Sequence, residues 1–336
     1  MIAVVLVNWN GHRDTIECLE SLLRQEIGDI VVLVVDNGSS DGSIAALTAW
    51  AAAPEPPQPL GPPWRNLPDR RLRPPVLITL PPHGDIAACA PGTIAVVPTG
   101  ANLGFAGANN VGMAMARRDP RIGHIWLLNN DTVVAPDALT RLRTAASARP
   151  KVAIWGSCLM YYDRPDIVQG VAGFFKPWLA RGGHLGIGQT RTTLPAVAQI
   201  EAAMAYVLGA AMFLPIATYD AAGPMSESYF LYYEEPDWAA RLPEPRHQSV
   251  ALDAVVYHKE GGSIGSSSRT RPSDTSLYYL NRNLIRFMWR WHPAWAVLSY
   301  ARILRQALTF ARHRDVAALR ILWRALRHAG SGRAKD

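Results

Sequence analysis

The sequence predicts an α/β fold: a doubly wound, mostly parallel sheet flanked by helices, with a C-terminal helical region after it. Three observations carry this expectation. Continuous apolar runs at Ile2–Val7, Ile30–Val35 and Ile125–Leu128 have the character of strands buried on both faces. Between the first two runs, apolar residues recur at helical spacing (Ile16, Leu19, Leu22 and Leu23). The connections are short and polar, as expected when helices join parallel strands.

The elements follow in order. Asn8-Trp9-Asn10-Gly11 breaks the first run, and a helix is expected over Asp14–Gln25, with Asp14 or Thr15 as its cap. The second run ends at Asp36. A polar turn over Asn37–Ser43 leads into a helix at Ile44–Ala53. Residues 54–75 are rich in proline and read as a surface insertion. Val76–Leu80 and Ile94–Val97 resume strand character, and Asn102–Asn110 opens a helix reaching about Arg117. The run at Ile125–Leu128 ends in Asn129-Asn130-Asp131, and Pro136 introduces a helix at Asp137–Ala148. Ala203–Leu214 fits either a helix or a strand pair. Val250–Tyr257 reads as a strand, and helices are expected over 275–291 and 295–329. The expected division is a catalytic α/β unit over 1–265 and a helical region over 266–336.

Composition narrows the function. Hydrophobic residues at 49% and charged residues at 18% describe a globular chain with a sizeable core. The three cysteines, Cys18, Cys89 and Cys158, are isolated, which excludes zinc ribbons and thioredoxin-like chemistry and fits a reducing compartment. The first strand begins at Ile2, leaving no room for a signal peptide, and no uncharged apolar stretch reaches 18 residues. The expected location is therefore cytoplasmic, with attachment to the inner face of the plasma membrane left open. The chain lacks GxxxxGK[ST] and GxGxxG, which argues against P-loop and nicotinamide-dinucleotide chemistry.

Four segments carry candidate chemistry. Asn8 and Asp36 close predicted parallel strands, where open α/β sheets bind ligands; DNGSSDG also reads simply as a turn and helix cap. Asp131 follows a buried strand and is placed to hold a divalent cation against a diphosphate, or to cap the next helix. Glu234, Glu235 and Asp237 crowd three acids among aromatics. Such crowding raises a pKa toward general-base duty, whereas a helix start would hold the same acids as a solvated face. His258 ends a strand, where it is a metal ligand or an ordinary structural histidine.

In order along the chain, VVLVNWNG (4–11), VVDNGSSDGS (34–43), NLGFAGANN (102–110), WLLNNDT (126–132), YFLYYEEPDWAAR (229–241) and YHKEGGS (257–263) resemble the family 2 glycosyltransferases of GT-A fold, nearest in pattern to bacterial rhamnosyltransferase-like members. The resemblance spans about 260 residues. It implies a GT-A domain that binds a nucleotide diphosphate sugar, dTDP- or UDP-linked, through Asn8, Asp36, Asn102, Gly104 and Asn130. It implies a Mg or Mn ion at Asp131, with Asn129 in the place of the first acid of the DxD motif and His258 completing the site. Glu235 falls at the position of the catalytic base, with Asp237 as orienting residue or alternative base. The implied reaction is inverting transfer of a sugar, such as rhamnose, to a glycan or lipid-linked glycan in envelope or exopolysaccharide synthesis. The insertion at 54–75 has no counterpart in the family pattern. A sugar nucleotidyltransferase and a noncatalytic nucleotide-sugar binder are the rival readings. The first would carry a glycine-rich basic loop that NWNGHRD lacks, and joint retention of Asp131, Glu235, Asp237 and His258 speaks against the second.

The net charge of +7 is concentrated after residue 265, where arginines alternate with Trp289, Trp291, Trp295 and Trp323. This pattern suits peripheral contact with a membrane through the C-terminal helices, or packing of those helices on the catalytic unit with solvated arginines. No nucleic-acid fold signature accompanies it, so no nucleic-acid partner is expected.

Overall fold

The structure is a computed structural model, which describes residues 1–26, 28–53, 61–62, 64, 75–243, 247–259 and 272–330. Its centre is a ten-stranded sheet. The first half alternates strand and helix: β1 (Ile2–Asn8), α1 (His12–Leu22), β2 (Ile30–Asp36), α2 (Ser43–Ala52), β3 (Val76–Thr79), β4 (Thr93–Pro98), α3 (Gly104–Arg118) and β5 (His124–Asn129). Strands β3, β4, β2, β1 and β5 lie side by side, all parallel.

The second half completes the sheet with mixed pairing. β6 (Thr132–Val134), α4 (Ala138–Ala148), β7 (Ile154–Tyr161) and β8 (Val168–Gly170) precede a hairpin of β9 (Ala172–Lys176) and β10 (Arg181–Leu185). Then come α5 (Val197–Ala203), β11 (Ala211–Pro215), α6 (Ile216–Ala222), α7 (Glu234–Ala240) and β12 (Gln248–His258). β11 runs antiparallel between β5 and β7, and β12 sits between β7 and β6. The doubly wound, mostly parallel sheet is thus as the sequence predicts.

Alternation along the central strands explains why both faces are covered. Val4, Leu6, Val32 and Val34 join one core cluster with Leu19, Leu22 and Leu139 of the helices on that side. Ala3, Val5, Val31 and Leu33 join another with Met113 of α3 and Trp238 of α7. Successive residues point to opposite faces, so only uninterrupted apolar sequence satisfies a strand covered twice.

After Ser273 the chain is helical: α8 (Asp274–Trp291), α9 (Val297–Arg312) and α10 (Val316–His328). The expected single helix over 295–329 is two. Arg314 adopts a left-handed φ of 54° and Asp315 caps α10 by accepting from the Ala318 N–H at 3.0 Å. Two smaller expectations also change. Gly11 is the cap residue of α1, and Thr15 instead turns its hydroxyl to Asn8. Ala203–Leu214 contains the end of α5 and the start of β11. Most of the proline-rich stretch lies outside the described residues, as do residues 260–271, which include the expected domain boundary. Within that stretch, Gly61 donates its N–H to Glu17, and buried Trp64 donates its indole N–H to the Val134 carbonyl at 2.9 Å. These residues dock on the sheet rather than standing off its surface.

Candidate active site

The parallel half of the sheet sets the site. Register pairs Asn8 with Asp36 and Val7 with Asn129, so the carboxyl ends of β1, β2 and β5 form one edge. Asn8, fully buried, donates to Asp36 Oδ2 at 2.8 Å and accepts from the Thr15 hydroxyl at 2.7 Å. The same hydroxyl accepts from Asn130 at 2.9 Å. Asn8 and Asp36 do not line the cavity. These two residues, expected to hold the nucleoside, join three strand ends together beneath it. The neighbouring Asn37 does reach the cavity and donates to Asn102 Oδ1 at 3.1 Å.

Above this edge lies a cavity of about 880 Å³, within the size range of small-molecule sites. Asn102, Gly104, Asn129, Asn130, Asp131, Glu235 and His258 line it together, although 156 positions separate the first from the last. Sequence reasoning also missed several lining residues, notably Trp9, Gln169, Tyr206 and Arg302. Trp9 sat in plain view within NWNG. Gln169 lies on a three-residue strand with no periodicity to announce it.

Asp131 and His258 form the polar centre. His258 Nε2 lies 3.1 Å from Asp131 Oδ1. His258 Nδ1 lies 2.8 Å from Gln169 Oε1, an acceptor, so Nδ1 carries the hydrogen. Asn129 turns its amide nitrogen, a donor, to within 3.4 Å of His258 Nε2. Nε2 faces the carboxylate, as a donor to it when protonated and as a lone pair when not. Two acceptors this close require a proton or cation between them. Adjacent ligands of an octahedral magnesium ion stand about 3.0 Å apart, given bonds of about 2.1 Å. The pair therefore fits a divalent ion. Among the described residues no third His, Cys, Asp or Glu joins it, which leaves coordination positions for phosphate oxygens and water. Asn129, expected as a ligand, lines the cavity beside the histidine.

The acid loop precedes α7. Phe230, Tyr232 and Tyr233 all have left-handed backbone, with φ of 67°, 67° and 76°. Such conformations cost roughly 1–3 kcal/mol each and persist only under external restraint. The restraint comes from α8. Asn283 Nδ2 lies within 3.0 Å of the carbonyls of Tyr229, Leu231 and Tyr232. Buried Arg282 donates to the carbonyls of Ser228 and Tyr229 at 3.1 and 2.8 Å. The loop is latched from the other side by Phe105, whose N–H donates to the Phe230 carbonyl at 2.8 Å. Gly104, at φ 77°, leaves no room for a side chain, since a Cβ there would stand 2.5 Å from the Phe230 oxygen.

The three acids then take separate roles. Glu235 faces the cavity with its carboxylate against Gly209, where a Cβ would stand 2.1 Å from Oε1. Burial pushes its pKa up, opposed by backbone N–H donors of Glu235 itself and Gly209. Glu234 is buried with neither carboxyl oxygen hydrogen-bonded, and burial followed by the charge of Glu235 pushes its pKa well up. Asp237 is fully buried and points away from the cavity. It accepts from the Trp291 indole at 2.8 Å and the Tyr229 hydroxyl at 3.1 Å, and pairs with Arg241 at 3.2 Å. The expected alternative base is thus a structural anchor. A solvated acidic face is not observed.

Lys259, next to His258, pairs with Asp14 and Glu17 at 2.5 Å each and donates its backbone N–H to the Asp131 carbonyl at 3.0 Å. It ties the end of β12 to α1 and holds His258 in line with Asp131.

Comparison with solved structures places this architecture among GT-A glycosyltransferases. The chain is similar to a mannosyltransferase from Pyrobaculum calidifontis determined with GDP-Man and Mn²⁺, with 14% identity, TM-score 0.50, and coverage of 98% of this chain and 75% of that one. It is also similar to GalNAc-T7 determined with UDP, GalNAc and Mn²⁺, with 13% identity, TM-score 0.52, and coverage of 86% of this chain but 47% of that one. At such identities the likeness establishes the fold. No curated protein matches by sequence. The sequence profile of glycosyl transferase family 2 matches residues 3–61 and 84–196, just over half of the chain, so this protein is a member of glycosyl transferase family 2.

Proposed function

We propose that the protein is a metal-dependent, inverting glycosyltransferase that moves a sugar from a nucleotide diphosphate donor to an acceptor hydroxyl. The observation that supports this most is the convergence of the Asp131–His258 pair and the Glu235 carboxylate on one cavity. Family membership supplies the reaction class, and the neighbours' ligands agree with a nucleotide-sugar donor.

The roles follow from chemistry. Asp131 and His258 would hold a Mg or Mn ion, and such an ion would supply Lewis-acid compensation for charge on the leaving diphosphate. Asn102, Gly104 and Asn130 form the wall beside the donor. Glu235 accepts the acceptor hydroxyl proton; the acceptor oxygen bonds to the anomeric carbon as the bond from that carbon to the phosphate oxygen breaks, and the electron pair leaves with the diphosphate. A raised pKa makes Glu235 a stronger base than a solvated carboxylate. Attack from one side without an enzyme nucleophile inverts the anomeric centre. We assign the donor as dTDP- or UDP-linked, with a deoxysugar such as rhamnose, and the acceptor as a glycan or lipid-linked glycan of a bacterial envelope or exopolysaccharide.

A thermal-shift panel of UDP, dTDP, GDP and CDP, each with and without Mn²⁺ or Mg²⁺, tests the reading. A ligand at about 100-fold its Kd stabilises by roughly 2.7 kcal/mol. Metal-dependent stabilisation by one nucleotide, lost in Asp131→Ala, is expected. Absence of any shift, or retention of the shift in Asp131→Ala, would refute the assigned metal–diphosphate site.

A further inference from the structure

The C-terminal helix α9 is apolar on two sides, and the fold uses only one. Ile303, Ala307 and Phe310 pack with Leu277 and Ile285 of α8 and Leu322 of α10. Val297, Tyr300, Leu304 and Leu308 stand exposed at 67%, 40%, 62% and 52%. At about 100° per residue these four fall in one stripe roughly 80° wide, beside the packed side, whose centre lies about 100° away around the helix.

The stripe continues beyond the helix. Trp289, in the last turn of α8, donates its indole N–H to the Tyr300 hydroxyl at 3.2 Å. Trp178 and Leu179, both 55% exposed, form the tip of the β9–β10 hairpin. That hairpin is held on the helices by Ala180, which packs with Met288 and Ala296 and accepts from Arg302 at 3.0 Å. Two separately folded elements, joined through the Arg302 side of α9, therefore each present large apolar side chains to solvent. Phe175 of the hairpin and Arg302 of α9 also line the cavity, so the hairpin side of this surface borders its mouth.

Charge identifies the occupant. Arg305 and Arg312 project about 75–95° from the centre of the apolar stripe, both on the side away from the packed face, and so border its free edge. Val316 and Trp323 of α10, exposed at 54% and 64%, share a helix face with Arg320 and Arg327. From Thr275 to Gly330 the one acid is Asp315, and it is engaged as the cap of α10. Exposed tryptophans and leucines bordered by arginines, without acids, match an interface with acyl chains below and anionic headgroups around. Among the described residues no helix is long and apolar enough to cross a membrane.

We propose that the hairpin tip and the outer faces of α9 and α10 form one docking surface for an anionic lipid bilayer, lying in its interface with the cavity mouth alongside. The surface stands independently of the reaction. Its consequence, that the acceptor arrives on a lipid, rests on the transferase reading.

Flotation of the full chain with phosphatidylcholine vesicles, with and without phosphatidylglycerol, tests this. The wild type should float with the anionic vesicles and be released by salt. Leu304→Glu with Leu308→Glu, and separately Arg305→Glu with Arg312→Glu, should each weaken binding by on the order of tenfold or more. Unchanged melting curves and nucleotide-induced shifts in these variants exclude misfolding and separate this test from that of the donor site. Failure of the wild type to float at low salt, or flotation of both variants like wild type, would overturn the proposal. So would a dimer in sedimentation velocity that Leu304→Glu dissolves while no vesicle binding is seen.

Discussion

Replacing Gln169 with leucine removes the acceptor opposite His258 Nδ1 while leaving both Asp131 and His258 in the chain. In the wild type the 2.8 Å contact to Gln169 Oε1 holds a hydrogen on Nδ1, which leaves Nε2, 3.1 Å from Asp131, as the nitrogen available to a cation. Without that acceptor, a buried Nδ1–H would lose its partner at a cost of about 1–3 kcal/mol. The imidazole relieves this by moving the hydrogen to Nε2 and donating it to Asp131. That tautomer closes the gap a cation would occupy. Loss of such a supporting hydrogen bond typically lowers metal affinity by about 10–100-fold, equivalent to about 1.4–2.8 kcal/mol. Titration of the protein with Mn²⁺, following free ion by electron paramagnetic resonance, reads this directly without turnover. Gln169→Glu retains an acceptor and should keep near-wild-type affinity. A leucine variant that binds Mn²⁺ as tightly as wild type would refute the tautomer argument.

Two further outcomes concern the acid loop. Glu235→Gln should lower kcat by about 10²–10⁴-fold with the melting temperature preserved, whereas Asp237→Ala should cost about 1–3 kcal/mol of stability because it removes the shared acceptor of the Tyr229 hydroxyl, the Trp291 indole and Arg241; equal stability of the two variants in denaturant titration would contradict the division of roles. Glu234→Gln should stabilise the protein, and more at pH 8 than at pH 5. Burial raises the carboxyl above its usual 4.5, so the folded state holds a proton the unfolded state releases, and wild-type stability falls as pH rises from about 4.5 toward the raised value. Melting curves at both pH values check this, and a difference independent of pH would contradict it.

The parallel half of the fold was legible because burial on both faces demands uninterrupted apolar sequence, which leaves a visible mark at Ile2–Val7 and Ile30–Val35. The cavity residues at strand ends were legible for the same reason, since sequence position then implies spatial position. Asp237 was not separable from Glu235 by sequence. Both lie in the first turn of a seven-residue helix, and only the rotation of that helix decides which faces the cavity. Gln169 was hidden because its role exists only across the β7–β8 and β7–β12 pairings, which no local pattern encodes. The break at Arg314 escaped notice because an arginine carries no helix-terminating signal; a glycine there would have announced the left-handed turn.

The grip of α8 on the acid loop bears on how such chains can be recombined. Residues 228–232 precede β12, yet their strained path is held by Arg282 and Asn283 from beyond it. A graft that exchanges the C-terminal helices for those of another family member, to redirect the acceptor, would carry away the restraint on the segment that leads into Glu235. On the proposed assignment, the C-terminal helices and the placement of Glu235 cannot be exchanged separately. A working chimera must transfer the loop and its clamp as one cassette, although half of it interrupts the sheet's own sequence.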